Sequence, residues 1–346
     1  MFSKNLKYYR LRKGISKKDL AAKANISAMA ITNYEQGNRK PSMEILKALA
    51  AALDVRVSDF LAVRNDEIVF SHGRFRKNSS LSMAQQEYIR ESVEEYFNRF
   101  MSVVEILGGE ILPPAPACHS LVLSNDAEEN AAALRKHLGF TEDGPIEELI
   151  GKLENKGILI YECDLDNGSF SGISGFVNNR PYIAINSKMN PERVRSTIVH
   201  ELAHLMFAWP EDKEGKEEEQ AATAISGAFL FPRVDALREL GIHRSSITND
   251  MISVAKEYGI SMMLLVKRAE QCRIISSTVA KEFYIKASQF GWRTAEPSRI
   301  NPEKPTLFNQ LVYRAVNESE ISVQRGAELL KAPYEEVFAM CRLTEV

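Results

Sequence analysis

Residues 3–61 show short apolar repeats at helical spacing, separated by turn residues. Apolar positions that recur every three or four residues indicate amphipathic helices. Ser16, Ser27 and Ser42 stand where side-chain oxygens can cap the start of a helix, and Gly14 and Gly37 stand where helices end. The pattern therefore predicts five short helices, at Asn5–Lys13, Lys17–Ala24, Ala28–Gln36, Met43–Leu53 and Val55–Leu61.

The remainder of the chain alternates helical patterns with one strand-like region. Helices are predicted at 83–106, in two segments within 127–155, at 191–208, at 218–231 and along most of the tail from 240, with a break at 291–305 and a small helix-turn-helix pattern at 319–341. Residues 157–163 and 180–186 have the composition of strands, and 168–179 is predicted to turn between them. We expect an α+β protein that is predominantly helical, with a small sheet of two or three strands.

Charge is distributed unevenly along the chain. Residues 1–64 contain 13 Lys and Arg against 5 Asp and Glu, whereas the remainder contains 31 against 41. A strongly basic small segment on an acidic body is typical of a nucleic-acid-binding module attached to another domain.

Length and composition limit the class of protein. A chain of 346 residues with 26% charged residues is an ordinary globular protein of two or three domains. No apolar run reaches the ~20 residues of a membrane span, and the N-terminus has no apolar signal region. Four widely spaced cysteines argue against a disulfide framework and a thiolate metal site. We therefore expect a cytoplasmic protein without a membrane partner.

The sequence His200-Glu201-Leu202-Ala203-His204 lies within the predicted helix at 191–208. Histidines four residues apart leave the same helix face, so both can bind one metal ion. A glutamate beside the first histidine can take a proton from metal-bound water, as in H-E-x-x-H hydrolases. A surface helix with two hydrogen-bonded histidines is the alternative. The helical context favours His200 and His204 as metal ligands and Glu201 as the base.

A catalytic zinc requires a third protein ligand and an open fourth position. The next helix offers Glu217, Glu218 and Glu219, and antiparallel packing would bring them beside the histidines. Small residues after Glu219 allow the helices to approach closely, so Glu219 is the expected ligand, with Glu218 as the main alternative. The three acids would otherwise be a solvated helix start that the helix dipole favours.

The remaining polar residues of this region have weaker expectations. His72, His119, His137 and His243 are expected at the surface. Arg180 and Tyr182, on the strand before the metal helix, could bind a peptide at the sheet edge or stabilise an oxyanion. Packing is the preferred interpretation for Tyr182.

Residues 16–37 have the spacing of a helix-turn-helix, whose second helix enters the major groove of DNA. On that helix Ile31 and Tyr34 should face the core. Asn33 can read adenine, and Ala28 and Met29 can contact a thymine methyl group. The predicted DNA-binding residues are Lys17, Ser27, Ala28, Met29, Thr32, Asn33, Asn38, Arg39 and Lys40, with the basic ones on phosphates. A helical interaction domain with an incidental basic face is the alternative.

Residues 5–61 resemble the lambda-repressor-like XRE family. The resemblance runs through Leu11-Arg12, Gly14-Ile15-Ser16, Leu20-Ala21, Ile26-Ser27, Ile31, Tyr34-Glu35, Gly37, Pro41 and Leu49-Ala50. It spans the whole predicted five-helix domain and implies binding to a double-stranded DNA operator. Dimerisation is expected for a two-fold operator.

Residues from about 85 to 240 resemble the ImmA/IrrE-type metallopeptidases. The resemblance is carried by 195–205 around the two histidines, by Glu219 with Ala222, and by Ala228-Phe229-Leu230-Phe231-Pro232. It implies a zincin-like domain with His200, His204 and Glu219 as ligands and Glu201 as base. The family usually has Asn or Asp, a partner of a metal ligand, where this chain has Thr223, and Phe where it has Ile225.

The two resemblances together imply a regulatory protein. We expect domains at 1–64 (helix-turn-helix), 65–112 (linker and long helix), 113–240 (metallopeptidase) and 241–346 (helical extension). The implied cofactor is one Zn²⁺ per chain, with Mn²⁺ as an alternative, and the implied substrate is a repressor or related regulator. The alternative is a transcription factor or antitoxin-like protein whose metal site is structural, sensory or degenerate.

Overall fold

The N-terminal residues fold into five helices whose predicted caps are all made. The Oγ atoms of Ser16 and Ser27 each accept a hydrogen bond at 3.1 Å from the backbone N–H three residues later, and Ser42 does so at 3.4 Å. The helices are α1 (Phe2–Arg12), α2 (Lys17–Lys23), α3 (Ala28–Glu35), α4 (Met43–Leu53) and α5 (Val57–Phe60). The prediction of five helices is confirmed, with helix ends that differ by at most three residues and with α4 matched at both ends.

The core of these five helices contains one buried ion pair. Leu6, Leu20 and Ile31 are fully buried within it. Arg10 of α1 donates from Nε and Nη2 to the carboxylate of Glu35, which ends α3, at 2.5 and 3.1 Å. This paired arrangement fixes α3 against α1, because an unpaired charge at that depth would be costly.

The protein is described by a computed structural model, which covers residues 2–62, 64–65, 67–73, 81–165, 170–210, 215–292 and 295–342. The elements that follow α5 are β1 (Phe70–His72), α6 (Met83–Ile106), β2 (Leu121–Val122), α7 (Ala127–His137), α8 (Leu149–Glu154), β3 (Leu159–Cys163), β4 (Gly172–Val177), β5 (Arg180–Asn186), α9 (Pro191–Met206), β6 (Phe207–Ala208), α10 (Lys216–Leu230), α11 (Arg233–Leu240), α12 (Asp250–Glu257), α13 (Met262–Gln271), α14 (Ser277–Gln289), α15 (Leu307–Asn317), α16 (Val323–Leu330) and α17 (Tyr334–Met340). Parts of the predicted linker (74–80), turn (168–169) and acidic segment (211–214) lie outside the described residues.

The chain divides into two compact units. The first contains Met1–Phe70, Ser80–Ile111 and Asn309–Val346, and the second contains Ser71–Ser79 and Leu112–Phe308. The four sequence regions proposed above remain a prediction, since each unit combines segments that are distant in the chain.

The first unit joins the five N-terminal helices to α6 and to the C-terminal helices. Arg64 donates to Asn5 at 2.8 Å and to Glu91 of α6 at 3.1 Å. Lys331 follows the last residue of α16 and has a φ of 54°. Its Nζ lies 2.9 Å from Glu95 of α6 and 4.8 Å from the ring centre of Tyr8 in α1. Residues more than 200 positions apart therefore form one polar network in this unit.

The second unit is built on a four-stranded sheet with the strand order β1-β4-β5-β3. β4 pairs antiparallel with β5, and β3 pairs parallel with β5. β2 and β6 form a separate parallel pair. The region 168–179 was expected to be only a turn, and that expectation is wrong, because β4 occupies six of its twelve residues.

The error at β4 has a physical reason. Gly172 and Gly175 weaken the local preference of this segment for a strand, since glycine offers no side chain to pack. Ser174 and Ile173 are nevertheless buried, and the pairing of β4 with β5 over six positions overrides the local preference.

Helix α9 packs across β4 and β5 and forms the centre of the core of the second unit. Ile198, Val199 and Leu202 of α9 are fully buried there. α10 lies beside α9, where Ala222 is fully buried and the hydroxyl of Ser226 donates to the carbonyl of Ser196 at 2.7 Å. These small residues allow the close helix approach that places the acids of α10 near the histidines.

Among the described residues, none of the helices has an apolar stretch of the length that a membrane span requires.

Candidate functional site

Both histidines and the glutamate between them lie in the second half of α9. Asn190 precedes the helix and Pro191 opens it, where proline is tolerated because no N–H is needed. The apolar residues of α9 pack one face of the helix against the sheet. His200 and Glu201 lie at the border of that face. His200 and Glu201 are largely buried, with exposed fractions of 6% and 8%.

Three metal-binding atoms converge at this point. His200 Nε2 lies 3.2 Å from His204 Nε2. The Glu219 carboxylate reaches both rings, with Oε2 at 3.3 Å from His200 Nε2 and Oε1 at 3.7 Å from His204 Nε2. One ligand atom from each of the three residues lies within 4.8 Å of the other two. Among the His, Cys, Asp and Glu side chains of the described residues, these three form a group that could hold a metal ion.

The other nitrogen of each histidine is already engaged. His204 Nδ1 lies 3.0 Å from Glu218 Oε1, which as a carboxylate can only accept, so Nδ1 donates. Thr223 Oγ1 donates to the carbonyl of Glu219 at 2.8 Å and therefore accepts from His200 Nδ1 at 3.3 Å. Protons on both Nδ1 atoms leave both Nε2 lone pairs directed at Glu219, which is the tautomer that a metal requires.

The three acids at the start of α10 are thereby separated by geometry. Glu219 faces the Nε2 atoms of both histidines, and Glu218 faces the Nδ1 atom on the opposite side of the His204 ring. Glu217 is exposed. Glu219 is therefore the acid placed to act as a third ligand, whereas Glu218 is hydrogen-bonded to His204 Nδ1. Thr223, where the ImmA/IrrE-type family that the sequence resembles usually has Asn or Asp, contacts His200 through its hydroxyl.

The donor set fits zinc. Two imidazole nitrogens and one carboxylate oxygen are the ligands of a catalytic zinc site with an open position. The cysteines offer no competing thiolate, because burial raises the pKa of Cys118 to about 11 and that of Cys163 to about 12. All four cysteines are free thiols.

Ser174 of β4 holds Glu201 and was missed by the sequence analysis. Its Oγ donates to Glu201 Oε2 at 2.8 Å, and Ser174 is buried. The serine lies in the segment that was expected to be a turn, so no sequence pattern pointed to it. This hydrogen bond orients the Glu201 carboxylate through Oε2.

Arg180 and Tyr182 on β5 have structural contacts. Arg180 Nη1 donates to the carbonyls of Pro113 at 2.6 Å and Gly157 at 3.2 Å. Tyr182 is fully buried, in agreement with the packing role preferred for it, and its hydroxyl lies 2.6 Å from His72 Nδ1. His72 was expected at the surface, but that contact makes it half-buried.

The residues predicted to bind DNA lie in the first unit around α3. Ile31 and Tyr34 are buried, as expected, and Met29 of the same helix is 68% exposed. Of the predicted set, Ser27, Ala28, Met29, Asn38, Arg39 and Lys40 are exposed, whereas Lys17, Thr32 and Asn33 are half-buried. Ser27 also caps α3. Their contacts with DNA remain a prediction.

Comparison with known proteins separates the same two parts of the chain. Residues 6–60 match the helix-turn-helix family. A regulator of Methanocaldococcus jannaschii, described as an uncharacterized HTH-type transcriptional regulator, is 32% identical over 62 residues, which are 18% of this chain and 94% of that protein. The chain belongs to the XRE-type helix-turn-helix regulators. The uncharacterized HTH-type transcriptional regulator YqaE of Bacillus subtilis is 37% identical over 70 residues, 20% of this chain.

A second part of this XRE-type regulator is similar to a peptidase family. Residues 153–270 match the IrrE N-terminal-like domain, a range that contains β3, extends into α13 and includes His200, His204 and Glu219. The chain covers 60% of the length of the Bacillus subtilis relative. Two family matches therefore describe a chain with a helix-turn-helix part and a metallopeptidase-like part.

Proposed function

We propose that this XRE-type regulator is a zinc-dependent endopeptidase that cleaves a repressor or a related regulatory protein. The observation that carries the proposal is the convergence of both Nε2 atoms and the Glu219 carboxylate, with both Nδ1 atoms held from behind. Histidines that merely make surface hydrogen bonds do not require this arrangement.

His200, His204 and Glu219 would hold the zinc ion. Zinc in such a site acts as a Lewis acid and lowers the pKa of a bound water to about 7. Ser174 fixes the Glu201 carboxylate through Oε2. Glu201 Oε1 would accept the proton of the attacking water and deliver it to the nitrogen of the leaving amine.

The first unit would bring this activity to DNA. Asn33, Ala28 and Met29 of α3 would contact base edges, while Lys17, Arg39 and Lys40 would contact phosphates. We expect a homodimer on a two-fold operator in the cytoplasm. The protein substrate would then be a regulator that acts at the same or a neighbouring operator.

The test is cleavage of an XRE-type repressor encoded beside this gene. The wild-type protein should cut it when loaded with zinc, and Glu201→Gln should not, although it should retain the metal. Equal cleavage by both proteins would refute the mechanism.

A metal site that is structural or sensory is the second candidate, and Thr223 is the observation in its favour. Its contact with His200 is 3.3 Å long, and the family usually has Asn or Asp there. A protein that binds its own promoter and one equivalent of zinc but cuts no neighbouring regulator would support this alternative.

A further inference from the structure

The outer edge of β4 is occupied by the segment that follows the N-terminal helices in the chain. Gly73 donates its backbone N–H to the carbonyl oxygen of Ser174 at 2.8 Å. Ser71 lies beside Gly175, and Gly73 lies beside Ile173 and Ser174, so the contacts run in opposite order along the two segments. Residues 71–73, which include the last two residues of β1 and which we call the edge segment, therefore pair antiparallel with β4.

The same edge adjoins the catalytic base. Ser174 accepts from the edge segment through its carbonyl and donates to Glu201 through its hydroxyl. A Cβ atom on Gly172 would lie 3.4 Å from Glu201 Cγ, which places β4 directly against α9. An extended polypeptide that paired with β4 would thus pass the site by the route that the edge segment now takes.

Two glycines make this close pairing feasible. A Cβ atom on Gly175 would lie 2.3 Å from the carbonyl oxygen of Ser71, and one on Gly73 would lie 2.6 Å from the carbonyl oxygen of Ser174. Real Cβ atoms do not approach that closely, so any larger residue at either position would displace the segment.

A side-chain contact adds to the main-chain pairing. The missing side chain of Gly175 lets the Tyr182 hydroxyl reach His72, where it lies 2.6 Å from Nδ1. The two rings are T-shaped with centroids 6.1 Å apart. Tyr182 is fully buried on β5, so His72 is anchored to the interior of the sheet.

We propose that the edge of β4 takes an extended polypeptide and that the edge segment is its built-in competitor, so that the chain closes its own site until residues 71–73 leave. The inference rests on the proposed peptidase function. In the chain the segment follows the last N-terminal helix, α5, after a stretch of ten residues.

Occupancy is tested by hydrogen exchange on the zinc-loaded full-length protein. Gly73→Pro removes the N–H donor, and His72→Ala removes the anchor as a second, milder variant. Both should expose the amides of β4 and speed exchange in the peptide 170–177, by roughly 3- to 10-fold for the loss of one hydrogen bond. The effect of Gly73→Pro should be the larger one, because its Cβ atom also displaces the segment. Val69→Ala, whose side chain is 67% exposed just before β1, should exchange like the wild type.

Competition is tested with a fluorescent peptide of residues 67–73, EIVFSHG, in the Glu201→Gln background to prevent cleavage. The peptide should bind the Gly73→Pro and His72→Ala forms roughly 3- to 10-fold more tightly than the parent, because an edge segment that has lost one hydrogen bond competes less well for β4. Equal zinc content should show that the unit has folded.

The outcomes separate the two ideas. We call the Gly73→Pro and His72→Ala variants the released forms. The inference would be overturned if the peptide bound them no more tightly than the parent protein, or if hydrogen exchange in β4 were unchanged. Either result would count even where Glu201-dependent cleavage is seen. Tighter peptide binding by the released forms with no cleavage of any protein by any variant supports the occupied edge and refutes the proposed peptidase.

Discussion

Replacement of the three adjacent acids of α10 should separate their roles in metal binding. Glu219→Ala removes a ligand, Glu218→Ala removes the acceptor of His204 Nδ1, and Glu217→Ala removes an exposed charge of the same sign. Each variant removes one negative charge from the same turn of α10. Differences in zinc affinity among the three therefore report where each carboxylate lies relative to the histidines.

The magnitudes follow from the contacts. Loss of a hydrogen-bond partner of a ligating histidine typically weakens metal binding by about 10- to 100-fold, or about 1.4–2.7 kcal/mol. Glu218→Ala should fall in this range, because a carboxylate at 3.0 Å is a strong acceptor. Thr223→Ala should cost less, since its neutral hydroxyl lies at 3.3 Å. Glu219→Ala should cost the most.

The assay is competition for zinc between each variant and a chromophoric chelator at fixed pH. Glu217→Ala should match the wild type and serves as the control for charge. If Glu218→Ala also matched it, the orienting role of Glu218 would be wrong. If Glu218→Ala were instead as severe as Glu219→Ala, the assignment of Glu219 as the protein's carboxylate ligand would be wrong.

Three further predictions concern stability and DNA binding. Burial raises the pKa of Glu154 to about 7 from 4.5, so its contribution to stability is complete below 4.5 and is lost as the pH rises through 7. Denaturant unfolding should therefore show a decline on the order of 3 kcal/mol across that window, which Glu154→Gln should abolish. Glu35→Ala strands the buried Arg10 guanidinium and should lower the free energy of unfolding by about 3–5 kcal/mol; a loss within 0.5 kcal/mol would contradict the buried pair. In operator binding, Arg39→Ala should reduce the slope of log K against log salt by about one, whereas Asn33→Ala should cost about 1–3 kcal/mol without changing it; equal slopes would refute the phosphate contact.

The sequence determined the local parts of this protein. Serine caps and glycine stops lie within a few residues of the helices they delimit, so the five N-terminal helices could be read directly. The spacing of His200 and His204 placed them on one face of α9 for the same reason, because helix geometry is local. Glu219 could be favoured among the acids only by assuming that α10 packs closely on α9.

The tertiary structure decided the contacts between distant residues. Ser174 reaches Glu201 only because the pairing of β4 with β5 overrides the weak strand preference of two glycines. The edge segment pairs with β4 about 100 residues later in the chain, and Lys331 joins a network with Tyr8. Such contacts leave no periodic trace in the sequence, because they depend on how separate elements pack. Local pattern thus indicated which residues form the candidate metal site, and packing alone determined what holds the Glu201 carboxylate and what covers the edge of β4 beside it.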